Sequence, residues 1–123
     1  MGRIYENKVT DLGNQVEAFM DEGMFILFGE NAPDTLKEFC YTMSVNPVNG
    51  TLSSGQKLII DDVSYEITAV GSLAQKNLEA LGHLTIVFNE ATEAGLPGSI
   101  CVEAKPVPTL VVGSEIIIEE IGR

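Results

Sequence analysis

The chain has 123 residues, which by length is one domain, 1–123, and its eighteen acidic side chains against seven Lys and Arg give a formal net charge of −11. Such a surface repels phosphate backbones and anionic lipid, which argues against nucleic-acid binding and membrane adsorption and favours a partner with a basic face. No apolar run approaches the ~20 residues of a membrane helix, and the start, Met1-Gly2-Arg3-Ile4, lacks a signal-peptide core, so the expected location is the cytoplasm.

In chain order, Ile4–Leu12 is β-like and Gly13-Asn14 offers a turn. Gln15–Met20 is short and mixed. Asp21-Glu22-Gly23 reads as a turn into Met24–Phe28, five apolar residues that fit a strand buried on both faces. Gly29–Pro33 breaks that run. Asp34 can then cap a short helix in which Leu36, Phe39 and Cys40 have i, i+3, i+4 spacing. Tyr41–Val45 leads to the turn signals Asn46-Pro47 and Asn49-Gly50.

Lys57–Ile60 and Val63–Val70 flank Asp61-Asp62, a hairpin pattern. Ser72 can cap a helix through Leu81, with Gln75 in capping-box position. Gly82 follows where a left-handed C-terminal residue belongs, and after His83, Leu84–Phe88 reads as a strand. Asn89–Gly98 is a loop and Ser99–Ala104 alternates again. Pro106 and Pro108 mark an irregular crossing, and Leu110–Val112 and Glu115–Ile121 read as closing strands. Seven to nine short strands with two short helices predict an all-β fold, a small closed barrel in preference to a sandwich.

His83 is the only histidine and the only side chain whose ordinary pKa lies near neutrality. It can act as nucleophile or base, or simply hydrogen-bond the last carbonyls of the preceding helix. The negative end of the helix dipole there stabilises an imidazolium and disfavours a phosphate. Cys40 and Cys101 stand far apart and are expected as buried free thiols. One His and two separated Cys give no zinc-site spacing. No G-x-S-x-G and no G-x-x-x-x-G-K-[ST] occurs. Asp61-Asp62 and Glu119-Glu120 put neighbouring carboxylates on opposite strand faces, which makes poor catalytic dyads.

The string Val70-Gly71-Ser72, Ala74, Asn77-Leu78, Leu81-Gly82-His83, Thr85 resembles the glucitol/sorbitol-specific enzyme IIA component of the bacterial phosphotransferase system (PTS). Ala32-Pro33, Leu36, Glu38-Phe39-Cys40 is similar to the family's early helix. Leu96-Pro97-Gly98, Pro106-Val107-Pro108 and Gly113-Ser114 are similar to its C-terminal third. The resemblance implies a cytoplasmic β-barrel phosphocarrier. A histidine would accept a phosphoryl group from the carrier HPr and pass it to the IIB unit, the membrane IIC unit delivering the sugar, with no nucleotide, metal or other cofactor at this step.

One departure stands out. The family's phosphoacceptor follows the Glu-aromatic-Cys segment, and Met43 occupies that position here. Met43 cannot form a phosphohistidine and reads as core or groove lining. Among nitrogen nucleophiles of this kind only His83 remains, with the backbone N–H groups of Gly82–Leu84 or the Thr85 hydroxyl to hold phosphoryl oxygens. Three readings follow: a phosphocarrier using His83; a regulatory or binding module that keeps the fold without the relay; and a barrel for an unrelated small ligand.

Overall fold

A computed structural model of the chain describes residues 2–120. Eight strands form among them: β1 (Arg3–Leu12), β2 (Met24–Phe28), β3 (Cys40–Met43), β4 (Lys57–Ile60), β5 (Val63–Val70), β6 (Leu84–Val87), β7 (Ser99–Val102) and β8 (Glu115–Glu119). They close in the order β1-β3-β2-β6-β7-β5-β4-β8. This is the closed all-β barrel expected, of a size whose interior side chains just fill. The pairs β2–β3 and β6–β7 are parallel, through crossovers over residues 29–39 and 88–98; the other pairs are antiparallel.

Alternation decides which side chains enter. Tyr65, Ile67 and Ala69 on β5 are buried between exposed or half-buried neighbours. Phe25 and Leu27 on β2, Tyr41 and Met43 on β3, Leu84 and Ile86 on β6 and Ile116 and Ile118 on β8 fill the interior. Phe28 points outward, yet Ala32 and Cys40 cover it from the β2–β3 crossover. That second, external cluster explains why Met24–Phe28 is apolar throughout. The β4–β5 hairpin forms as read, with Asp61 and Asp62 both left-handed at φ 48° and 74°, the primed turn that suits strand twist. Both cysteines are free and buried.

Helix α1 is Asp34–Lys37 and helix α2 is Ala74–Leu81. α2 lies across one end of the barrel, where its Ala74 and Leu78 join the interior core. The opposite end is filled by the aromatic rings of Phe25, Tyr65 and Phe88.

The structure corrects several local expectations. The first helix stops at Lys37 because Cys40 is already in β3, paired with Ile26; Asp34 makes no side-chain cap, Pro33 preceding the helix instead. The capping box at Ser72 and Gln75 does not form: α2 starts at Ala74 without a side-chain cap. Gln75 instead clamps a loop, accepting from the Leu52 N–H at 2.9 Å and donating to the Gly50 carbonyl at 2.8 Å. Val16–Glu22 is a 3-10 helix ending at left-handed Gly23. Leu110–Val112 is not a strand: Leu110 is buried in the core, and Val111 and Val112 are exposed on the approach to Gly113. The reading of a strand to Ile121 runs past the described residues; β8 ends at Glu119.

Candidate functional site

His83 sits where α2 returns the chain to the barrel. Gly82 takes the left-handed conformation, φ 67°, and its N–H donates to the Leu78 carbonyl at 2.9 Å. The His83 N–H donates to the Asn77 carbonyl at 3.3 Å, and the Gly29 N–H donates to the Leu81 carbonyl at 2.9 Å. Three carbonyls at the negative end of α2 are thereby satisfied, which weakens the dipole's opposition to an anion nearby.

The ring turns away from the helix toward β2. Antiparallel pairing sets Leu84 opposite Leu27. Leu84 and Ile86 point inward, so His83 and Thr85 share the outer face. His83 Nδ1 lies 3.3 Å from the Leu27 carbonyl oxygen. The ring packs against Phe28 with centroids 4.4 Å apart and planes at 35°. A carbonyl only accepts, so a neutral ring bonded to it is the tautomer with its proton on Nδ1 and a lone pair on Nε2. The ring is half-buried.

Gly29 and Gly82 let these elements meet. A Cβ on Gly82 would lie 3.0 Å from the Gly29 backbone and 3.5 Å from the Ser44 carbonyl oxygen; one on Gly29 would lie 2.8 Å from Val45 Cγ2. His83 and the segment Met43–Val45 therefore stand at the same end of the barrel, either side of Gly29.

Met43 does not face that surface. Its side chain is fully buried inside the barrel, and the Tyr5 hydroxyl donates to its sulfur at 3.7 Å. Asn7 Nδ2 donates to the Tyr5 oxygen at 2.7 Å and to the Ser44 carbonyl at 2.6 Å. Burial pushes the Tyr5 phenol up, and the bond from Asn7 works the other way.

The expected cradle of backbone donors is mostly used elsewhere. Of the Gly82–Leu84 N–H groups, those of Gly82 and His83 close α2. Thr85, on the same outer face as His83, is itself nearly covered. Among the described residues no cluster of three His, Cys, Asp or Glu side chains converges as a metal site. No helix among them is long and apolar enough to cross a membrane.

Grooves of about 570 Å³ beside Thr68–Ser72 and about 300 Å³ beside Asn7, Ser44 and Asn46 lie on the barrel's flank, and neither includes His83. Sequence reasoning reached His83 but missed its supports, the Leu27 carbonyl, the Phe28 ring and Gly29. The signal lay in the aromatic-glycine end of the run 24–28, legible only once that run is paired with 84–87.

Residues 4–117 match the family model described as PTS system glucitol/sorbitol-specific IIA component. Proteins called PTS system glucitol/sorbitol-specific EIIA component, from Shigella flexneri and Escherichia coli strain K12, are each 35% identical over 114 residues, covering 93% of this chain and 92% of theirs. The crystal structure of a PTS system IIA component from Enterococcus faecalis V583 superposes with a TM-score of 0.77 at 31% identity, covering 91% of this chain and 97% of that one. In agreement with the strings around His83, Cys40 and Pro97, the chain belongs to the family of PTS glucitol/sorbitol-specific IIA components.

Proposed function

We propose that this protein works in the cytoplasm, as one domain over 1–123, as a phosphocarrier of a glucitol/sorbitol-type PTS, with His83 as phosphoacceptor. HPr is the donor, and the IIB unit coupled to IIC is the recipient. The observation that carries the reading is the bond geometry of His83: Nδ1 faces the Leu27 carbonyl, which directs the Nε2 lone pair away from the barrel.

In the forward step the Nε2 lone pair attacks the phosphorus of the donor's phosphohistidine. The donor's N–P bond breaks and its electron pair returns to the donor ring nitrogen. Delivery to IIB is the same displacement in reverse roles. Catalysis is positioning plus charge stabilisation, so the Phe28 stack, which fixes the ring plane, supports the role. Incubation with phosphoenolpyruvate, enzyme I and HPr, followed by mass measurement in alkali, tests it. A gain of about 80 Da lost in His83→Ala is expected; no gain in the parent, with HPr fully phosphorylated, contradicts it.

A second reading rests on one observation, the burial of Met43 at the family's acceptor position. With a thioether there, the protein is a regulatory or binding module that keeps the partner surface and carries no phosphoryl group. The same experiment separates the two, since this reading predicts HPr binding without mass gain.

A further inference from the structure

We infer that the outer flank of α2, marked by Leu73, Leu81 and Leu96, is the docking surface for a carrier protein whose contact face is apolar with a basic rim. The inference rests on the phosphocarrier reading and adds where the partner sits.

Leu73, Leu81 and Leu96 are 44%, 47% and 51% exposed, on α2 and the loop beside it. Single exposed leucines need no explanation; connected ones do. Leu73, Asn77 and Leu81 follow at four-residue steps along one side of α2, over about 12 Å at the helical rise. The Leu73 N–H donates to the Pro97 carbonyl at 2.8 Å, which lays Leu96 beside the start of the helix. A Cβ on Gly98 would lie 3.2 Å from Asn77 Nδ2, so the loop follows the helix. At the other end the Leu81 carbonyl holds the Gly29 N–H, next to Phe28 and the His83 ring. The stripe therefore leads to His83.

Charge selects the occupant. Glu30, Glu79 and Glu93 are exposed on the elements that carry or adjoin the stripe, against the exposed Lys76. Two copies of a chain with a net charge of −11 repel each other, whereas a basic rim is attracted and steered. Three half-exposed leucines offer a few hundred Å², below the ~800 Å² per partner of a stable interface. That suits a carrier that must dock, exchange and leave.

The test is titration of the isotopically labelled protein with HPr, followed by NMR at low and high salt, for the parent and for Leu73→Asp and Leu81→Asp. The expected result is shifts centred on α2 and Leu96, weaker at high salt, with affinity down at least tenfold in both variants. Equal affinity in parent and variants, shifts centred elsewhere, no binding by the parent, or self-association that the variants abolish would each overturn the surface. Phosphorylation by the small donor phosphoramidate separates this from the chemistry. Variants that still gain a phosphoryl group from it but not from phosphorylated HPr have lost docking alone. A parent that gains none from either donor, yet binds HPr on this flank, overturns the phosphocarrier reading and leaves the surface standing.

Discussion

The Nδ1 atom of His83 faces the Leu27 carbonyl oxygen at 3.3 Å, from the strand that is its neighbour in the barrel. A residue at a helix exit is thus oriented by a strand more than fifty positions earlier in the chain. The neutral ring is expected to hold its proton on Nδ1. Imidazole nitrogen shifts recorded at about pH 8, above the ordinary histidine range, report the tautomer directly. A dominant Nε2–H form contradicts the assignment of Nε2 as nucleophile.

Phe28→Ala removes the ring that stacks on His83 at 4.4 Å while leaving the Leu27 carbonyl in place. The phosphoryl transfer rate is expected to fall about tenfold or more through loss of positioning, with the far-ultraviolet spectrum unchanged. An unaltered rate in a folded variant shows that the stack does not position the ring.

Gly82→Ala sets a Cβ 3.0 Å from the Gly29 backbone at a left-handed φ of 67°. A loss of about 1–3 kcal/mol in urea unfolding is expected. Leu78→Ala, beneath α2 and fully buried, is expected to cost about 2–5 kcal/mol. Comparable midpoints for the parent and either variant contradict the packing of α2 described above.

Burial pushes the Cys40 thiol up to about 11, and the Cys101 thiol rises for the same reason. The folded state keeps these protons where the unfolded state releases them, so the native state binds more protons above the ordinary thiol value. Stability is therefore full below about pH 9 and falls as pH rises toward 11. Urea midpoints across that range should fall, and less steeply in Cys40→Ala; a flat profile contradicts the burial.

Much of the barrel was legible because its strands are local patterns. The alternation of Tyr65, Ile67 and Ala69 and the turn at Asp61-Asp62 need no distant partner to be recognised. The errors fell where long-range contacts outrank local preference. Gln75 has the spacing of a capping box, yet Leu52 and Gly50 claim its amide. Cys40 has helical spacing from Leu36, yet pairing with Ile26 draws it into β3. Leu110–Val112 has strand composition, yet only Leu110 finds core to enter. For the site, His83 was visible as a residue type, and Phe28, Leu27 and Gly29 were not, because the β2–β6 register that joins them is a property of the closed barrel.

The central claim is that a phosphoryl group resides on Nε2 of His83. Phosphorus NMR of the protein treated with phosphoenolpyruvate, enzyme I and catalytic HPr, kept alkaline and paired with intact mass, measures it most directly. The account predicts one phosphoryl group per chain, with the resonance of an Nε2-linked phosphohistidine, and none in His83→Ala. A parent chain that stays unmodified beside fully phosphorylated HPr, or a phosphoryl group that survives in His83→Ala, contradicts it.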